Sequence, residues 1–467
     1  MSESIAEMVL PGTYIEVRSE GLIAAGAIAT GNIGIVGTAA RGAVGEVVRV
    51  GSYAEAIDAF GAYDAFSATN PLTLVRALEQ VFAGGGRDIT AIRIANEPDG
   101  GLPSSSLGLR ADGDLDAFAL TANSPGSWGN KIEVLLRTDP ADATRFQLQL
   151  RYRQIKETYY GTTVGALHGQ VAAESRLVTV SEVSNGALAP VLVDPPQTLS
   201  GGLDGADVSA ADVAAGLAVL EDQAINIVVV SGMGSNVVRG VVGAHLENTE
   251  NDGNERIAVL GASASTAATV ETEADSLADD RIVLVAPGIR AVDAASDQTI
   301  SLPPAYTAAV VAGRLATVAP HVSLTNKTLP LTDLDTHYNT PTVKNLLQKR
   351  VLVVRRKFGY QVVKGISTDT GAFKQISVRR IVDYAKAGVR SSSDPYIGRL
   401  NNARVRAALK ATLDGFLSQM VLDEMLVGYQ LEVAATRAQE IRGIAAVTLT
   451  LLPTFSIDYI RVTMNLQ

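Results

Sequence analysis

Acid–base or metal chemistry in this chain would have to start from four histidines, His168, His245, His321 and His337. Helical zinc sites space such residues at i, i+3 or i, i+4, as in H-E-x-x-H, because that spacing turns both rings toward one ion. No pair here has it, so each histidine is expected at the surface or as a satisfied core residue. Paired carboxylates are a second route to proton transfer. Asp204, Asp207 and Asp212 form one group and Asp275, Asp279 and Asp280 another, but both fall in polar turns and helix caps. A serine nucleophile on a sharp turn would read G-x-S-x-G, which does not occur. The chain has no cysteine, which removes thiolate catalysis, disulfides and Cys-ligated metal.

The glycine-rich stretch LSGGLDG (199–205) invites comparison with a phosphate loop. Such a loop follows a strand and opens a helix, reading G-x-G-x-x-G or G-x-x-x-x-G-K-[ST]. Here the glycines lead into a capped helix and only then a strand, and no G-K-[ST] follows any of them. A flexible turn between domains is the better reading, and no cofactor or metal is expected.

Charge is unevenly placed. Residues 344–467 hold 19 Lys and Arg against 9 Asp and Glu, a net +10, leaving −20 on the first 343 residues. A basic segment in an acidic chain points to an acidic partner. Nucleic acid is one candidate, but aromatics are only 5% of the chain and the basic residues are scattered, which suits neither stacking nor a phosphate-tracking arm.

The elements that would position these residues alternate between helix and strand. TYIEVR (13–18), with Ile15 and Val17 on one face, predicts a strand in an N-terminal arm. NPLTLVRALEQVFAGGG (70–86) predicts a helix capped by Asn70 with Pro71 in its first turn, and DITAIRIA (88–95) a strand. From about 100 to 200 the texture is β-rich and turn-rich. After 203, Ser209 and Asp212 form a capping-box signal before a helix, and INIVVV (225–230) is an apolar run of the kind covered on both faces. In 401–426 the apolar stripe is Val405, Leu409, Leu413, Phe416 and Met420, with Arg404, Arg406 and Lys410 off it. RVLVVRRK (350–357) predicts strand then turn. The terminal FSIDYIRVTMNL predicts strand, with Phe455, Ile457 and Tyr459 in one phase and Ile460, Val462 and Met464 in the other. A shift at Tyr459–Ile460 implies a bulge or a change of partner. No run of 18 apolar residues is present, so no membrane insertion is expected, and MSESIAEMVLPG lacks a secretory pattern.

PGTYIEV (11–17), IVGTAARGAVGEVVRVGSYAEAIDAFG (35–61), VFAGGGRDITAIRIA (81–95), GSWGN (126–130), LSGGLDG, INIVVVSG (225–232), DDRIVLVAPG (279–288) and LTNKTL (324–329) occur in the order typical of contractile-tail sheath proteins, which this chain resembles. One departure is RGAVGE, with Ala where that family often has Pro. The resemblance implies a multidomain α/β protein. It comprises a non-catalytic α/β core of subtilisin-like layering, an all-β insertion, and an α+β C-terminal domain completed by terminal strands. The expected segments are an arm at 1–22, core at 23–100, outer insertion at 101–200, core at 201–343 and inner domain with arm at 344–467.

The implied function is mechanical. Subunits would stack as six-fold rings in a helical assembly around a tail tube, between baseplate and terminator proteins, and contract to drive the tube through a cell envelope. The particle would be a virion tail or injection particle assembled in the host bacterial cytoplasm. The lack of a nucleotide motif implies that contraction draws on energy stored in the lattice. Tyr14, Ile15, Val17, Ile460, Val462 and Met464 are the candidate inter-subunit strands. Arg404, Arg406 and Lys410, with Arg355, Arg356 and Lys357 behind them, are the candidate tube-facing cations. An α/β-hydrolase-type enzyme and a nucleic-acid-binding assembly protein are the competing readings. The first lacks catalytic spacing; a steep salt dependence of DNA binding would mark the second.

Overall fold

An apolar run without alternation is satisfied only where both faces of a strand are covered. The computed structural model describes residues 28–62, 72–98, 101–293 and 296–465. In it, six such strands lie parallel, in the order Leu352–Arg356, Ile282–Ala286, Ile257–Gly261, Ile227–Val230, Ile33–Gly37 and Ile89–Arg93. Val47–Val50 closes one edge antiparallel; Tyr360–Val362 and Thr328–Leu329 extend the other. Alternate residues serve opposite layers. Ile227 and Val229 pack with helices Tyr53–Phe60, Leu74–Gly84 and Pro304–Ala316. Val228 and Val230 pack with Ala210–Val219, Ser235–Asn251, Ala267–Asp275 and Thr340–Gln348. Helices Leu74–Gly84 and Pro304–Ala316 cross at glycine: a Cβ on Gly313 would lie 2.2 Å from the Val81 carbonyl oxygen.

Helix Leu74–Gly84 starts later than its sequence suggests. Its N-cap is Thr73, and the predicted cap at Asn70 and Pro71 lies outside the described residues. The capping box at Ser209 and Asp212 forms as predicted.

Residues 106–198 build two antiparallel sheets. One joins Val193–Thr198, Glu133–Asp139, Asp142–Tyr152 and Ile155–Gly161; the other joins Ser106–Ala111, Leu115–Ala122 and Val178–Val180. The insertion is not all-β. Helix Val164–Glu174 lies across it, started by the Thr163 hydroxyl accepting from the Ala166 amide and held by buried Val164, Leu167 and Val171. That i, i+3, i+7 stripe is a helical signal embedded in β-rich sequence.

At the C-terminal end, helices Ile376–Ser393 and Ala403–Leu422 pack beneath a ribbon of Leu426–Ala434 and Ala446–Pro453. The expected domain boundary at 344 moves. Leu352 and Val353 pair with Val285 and Ala286, so this strand belongs to the core sheet. The reason is pattern over charge: the apolar run 351–354 needs cover on both faces, whatever the cations that follow it. Residues 454–465, expected to form a strand, carry no strand pairing among the described residues. The predicted N-terminal strand, with Tyr14, Ile15 and Val17, lies outside the described residues.

Candidate functional site

Most of the groups that would do chemistry are committed to structural partners; His321 is an exception, with its Nδ1 buried and lacking a hydrogen-bond partner among the described residues. Asp275 pairs with Lys349 at 2.5 Å and Asp280 with Arg379 at 2.7 Å, while Asp279 accepts from the Arg281 amide. His337 lies 3.2 Å from Asp333, and His168 meets the Ser181 carbonyl at 2.9 Å. In doubly wound sheets, ligands bind at the carboxyl ends of the strands where the strand order reverses. Here that point lies between Ile33–Gly37 and Ile227–Val230, and it is filled from within. The Thr38 and Thr73 hydroxyls meet at 3.3 Å, and Gly232, at φ 70°, sits where a Cβ would come 2.4 Å from Thr73.

His245 is a core histidine. Burial and the neighbouring Arg256 cation push it down to about 4. Arg256 donates to the Leu220 and Glu221 carbonyls at 2.9 and 3.0 Å and to His245 Nε2 at 3.2 Å, so the ring accepts there and a second positive charge is opposed. The unfolded histidine takes its proton near 6.5, the folded one only near 4. Stability is therefore full above pH 6.5 and falls as pH drops through that window, by about 2 kcal/mol between pH 7 and 5. Urea unfolding at both pH values should show this loss, and His245→Gln should remove most of it.

LSGGLDG proves to be a fixed seam, which corrects the flexible turn. Asn130 exchanges two hydrogen bonds with Gly202, both 3.0 Å, and the Asp204 carboxylate accepts from the Ser127 amide and hydroxyl at 2.6 and 2.7 Å. Buried Arg93 donates to the Gly42, Pro125 and Asp204 carbonyls. Burial of the guanidinium demands these acceptors and so rigidifies the loops that provide them. Trp128 lies under Arg41, whose guanidinium is 4.4 Å from the ring centre, and edge-on to Tyr152. GSWGN and LSGGLDG thus lace the outer domain to the core.

A second seam joins the core to helix Ile376–Ser393. Arg281, 3% exposed, binds Asp383 through two bonds of 2.9 and 3.0 Å and Glu250 at 2.7 Å. Arg379 bridges Asp280 and Asp383, Lys386 reaches Glu250, and Arg390 reaches Glu255. The bond from Arg281, aided by Lys386, pulls the Glu250 carboxyl down to about 2 against the effect of burial. Arg380 adds a bond to the Thr30 carbonyl at 2.9 Å.

The predicted basic residues divide into two places. Arg404 and Lys410 are exposed on the helix Ala403–Leu422. Arg406 is not directed outward: it bonds Glu440 at 3.0 Å and Asn401 at 2.8 Å. With the Asn401 bond to the Ile444 carbonyl, it ties the loop 396–402 to the ribbon tip 437–444. That contact brings in residues the sequence reading missed: exposed Arg399, Arg437 and Arg442, and the apolar Ile397, Leu400 and Ile441, exposed by 81%, 78% and 75%. Turn segments with lone large aliphatics beside arginine were the available signal. Arg355 and Arg356 end a core strand instead, and Lys357 follows it in the turn. The hairpin tip after them presents Phe358, 94% exposed.

Among the terminal candidates, Ile460, Val462 and Met464 are exposed by 83%, 72% and 84%. The preceding residues are seated. Asp458 lies 3.2 Å from Lys364 and 3.1 Å from Gln375 Nε2, and Lys364 sits over the Tyr459 ring.

The comparisons agree with this architecture. Residues 206–368 match the phage tail sheath protein central domain and 368–467 the phage tail sheath C-terminal domain, together more than half of the chain. A tail sheath protein of Bacillus phage SP01 is 28% identical over 196 residues, 40% of this chain and 34% of the relative, so the match spans about a third of that protein's length. A sheath tail protein from Desulfitobacterium hafniense has a similar structure, with TM-score 0.68 and 17% identity over 95% of this chain and 100% of that one. The anti-feeding prophage helical sheath in its contracted state is similar at TM-score 0.56 and 13% identity, over 98% and 99% of the two chains. At these identities the structures establish the fold.

Proposed function

The chain belongs to the phage tail sheath family, and from that premise we propose that it is the structural subunit of a contractile sheath, stacking as six-fold rings around a tail tube and contracting to drive the tube through a cell envelope. Its place is the virion tail or an equivalent injection particle, assembled in the host cytoplasm between baseplate and terminator proteins. The three-layer core serves as a rigid frame of subtilisin-like layering, not as a catalyst.

The observation that carries this reading is the pairing of an open ribbon with an unpaired strand-like terminus. A two-stranded ribbon is marginal alone and leaves both edges open. Leu426–Ala434 and Ala446–Pro453 form such a ribbon, and residues 460–465 have no strand partner among the described residues. Terminal arms that add strands to the ribbons of neighbouring copies satisfy both needs through main-chain bonds. Such bonds hold subunits together while the bodies rotate.

The tube-facing surface is read as Arg404 and Lys410 with Arg437 and Arg442, while Arg406 braces them from behind. Exposed ion pairs contribute about 0–1 kcal/mol each, so a ring sums them for assembly yet each breaks readily on expansion. The test is co-assembly with the cognate tube protein, read by pelleting. Arg404→Glu with Lys410→Glu is expected to reduce tube-templated assembly at least tenfold without moving the urea midpoint. Unchanged pelleting would count against a tube contact at this surface.

A further inference from the structure

We propose that Asp458 is the root clasp of an exchangeable C-terminal strand: it pins residues 454–459 to their own subunit and leaves the chain from Ile460 onward for the ribbon edge of a second copy. The inference rests on the sheath reading above, and it assigns the point at which self ends and exchange begins.

The clasp is built from three separate parts of the core. Lys364 follows the last strand of the sheet, and its Nζ lies 3.2 Å from the carboxylate. Gln375 is the N-cap residue of helix Ile376–Ser393. Its side-chain amide accepts from the Ser456 amide at 3.1 Å and donates to the Ser456 carbonyl at 3.4 Å and to Asp458 at 3.1 Å. It thereby pairs with main chain as one residue of a neighbouring strand would. Thr325 is the third part. It lies in LTNKTL, whose Leu324 and Leu329 are buried in the core. Its hydroxyl accepts from the Gly365 amide at 3.1 Å and reaches Asp458 at 3.5 Å. Asn326, at φ 60°, turns the chain there so that Lys327 and Thr328 can rejoin the sheet.

The carboxylate is only 11% exposed, whereas the apolar residues around it are not buried at all well: Ile457 is 80% exposed and Tyr459 82%. The segment is therefore held by polar bonds at Thr454, Ser456, Asp458 and Tyr459, not by apolar burial. The sequence marks the same boundary, since the apolar alternation changes phase between Tyr459 and Ile460. Up to Tyr459 the even residues turn inward to the clasp; from Ile460 to Asn465 every residue is exposed. A phase change at the anchor lets one short segment present one row to its own subunit and another to a different one.

Trypsin reads the clasp, because Arg461 lies three residues beyond Asp458 and cleavage after it requires neighbouring residues to leave their partners. In the unassembled full chain, Asp458→Ala is expected to raise the cleavage rate after Arg461 about tenfold, the scale of a lost charged hydrogen bond. Lys364→Met should raise it by less, and Asp458→Asn, which keeps the Gln375 bond, should fall between wild type and Asp458→Ala. Equal rates in wild type, Asp458→Ala and Lys364→Met would overturn the clasp. The donated strand is tested separately: a chain lacking residues 460–467 that still assembles normally would overturn the strand exchange while leaving the sheath reading standing. A chain that needs those residues but shows no effect of Asp458→Ala on cleavage would remove only the clasp.

Discussion

Removing residues 460–467 is expected to abolish assembly of the purified protein while leaving the subunit folded. The described part of this segment has no strand partner among the described residues, and Ile460, Val462 and Met464 are each more than 70% exposed. Exposed segments of this kind contribute within about 0.5 kcal/mol to the stability of the subunit. In a sheath the same residues would supply a ladder of main-chain bonds to each neighbour, repeated at every subunit of every ring. The loss is therefore small in the monomer and cumulative in the polymer. Sedimentation should show particles in the full chain and only subunits in the truncated one, with urea midpoints that coincide. Full assembly of the truncated chain would show that subunits are held by body contacts alone.

Arg281→Ala is expected to destabilise the subunit by about 3–5 kcal/mol, the range for removing one partner of a buried ion pair. The change removes the cation shared by Asp383 and Glu250 and leaves Asp383 with Arg379 alone and Glu250 with Lys386 alone. Asp383 is 14% exposed and Glu250 34%, so water screens part of the cost at Glu250 and the lower half of the range is expected. The seam also gives acid sensitivity with a defined sign. The Glu250 carboxyl ordinarily titrates near 4.5 and is held down to about 2 in the fold. Its contribution is full above pH 4.5 and is lost as pH falls toward 2, a lower window than that of His245. Urea unfolding with hydrogen exchange in residues 376–393 measures both effects. Arg281→Ala should open this helix ahead of the core sheet; a single shared transition at the wild-type midpoint would contradict a seam.

The core was legible because its signals are redundant. IVVV at 227–230 has no polar alternation, and the Ser209–Asp212 cap starts its helix by local chemistry, so neither needs tertiary information. Helix Val164–Glu174 was missed because β-formers on both sides hid a three-residue stripe. The boundary at 344 was drawn by charge, although the apolar run at 351–354 follows the sheet. Buried arginines were invisible for another reason. Arg76, 2% exposed and 2.6 Å from Asp293, sits among the apolar residues of a helix whose pattern predicts only an amphipathic face. Its partner lies 217 positions away, so no local pattern reports it. The candidate surfaces divide likewise. Arg404 and Lys410 were found from helical spacing, but the Arg406–Glu440 brace and the Asp458 clasp depend on contacts across 34 and 83 positions or more.

Electron microscopy of the purified chain, alone and with its cognate tube protein, tests the central claim most directly. A sheath subunit should form hollow, striated cylinders of uniform width in at least one of the two conditions. Monodisperse small particles in both would contradict the account.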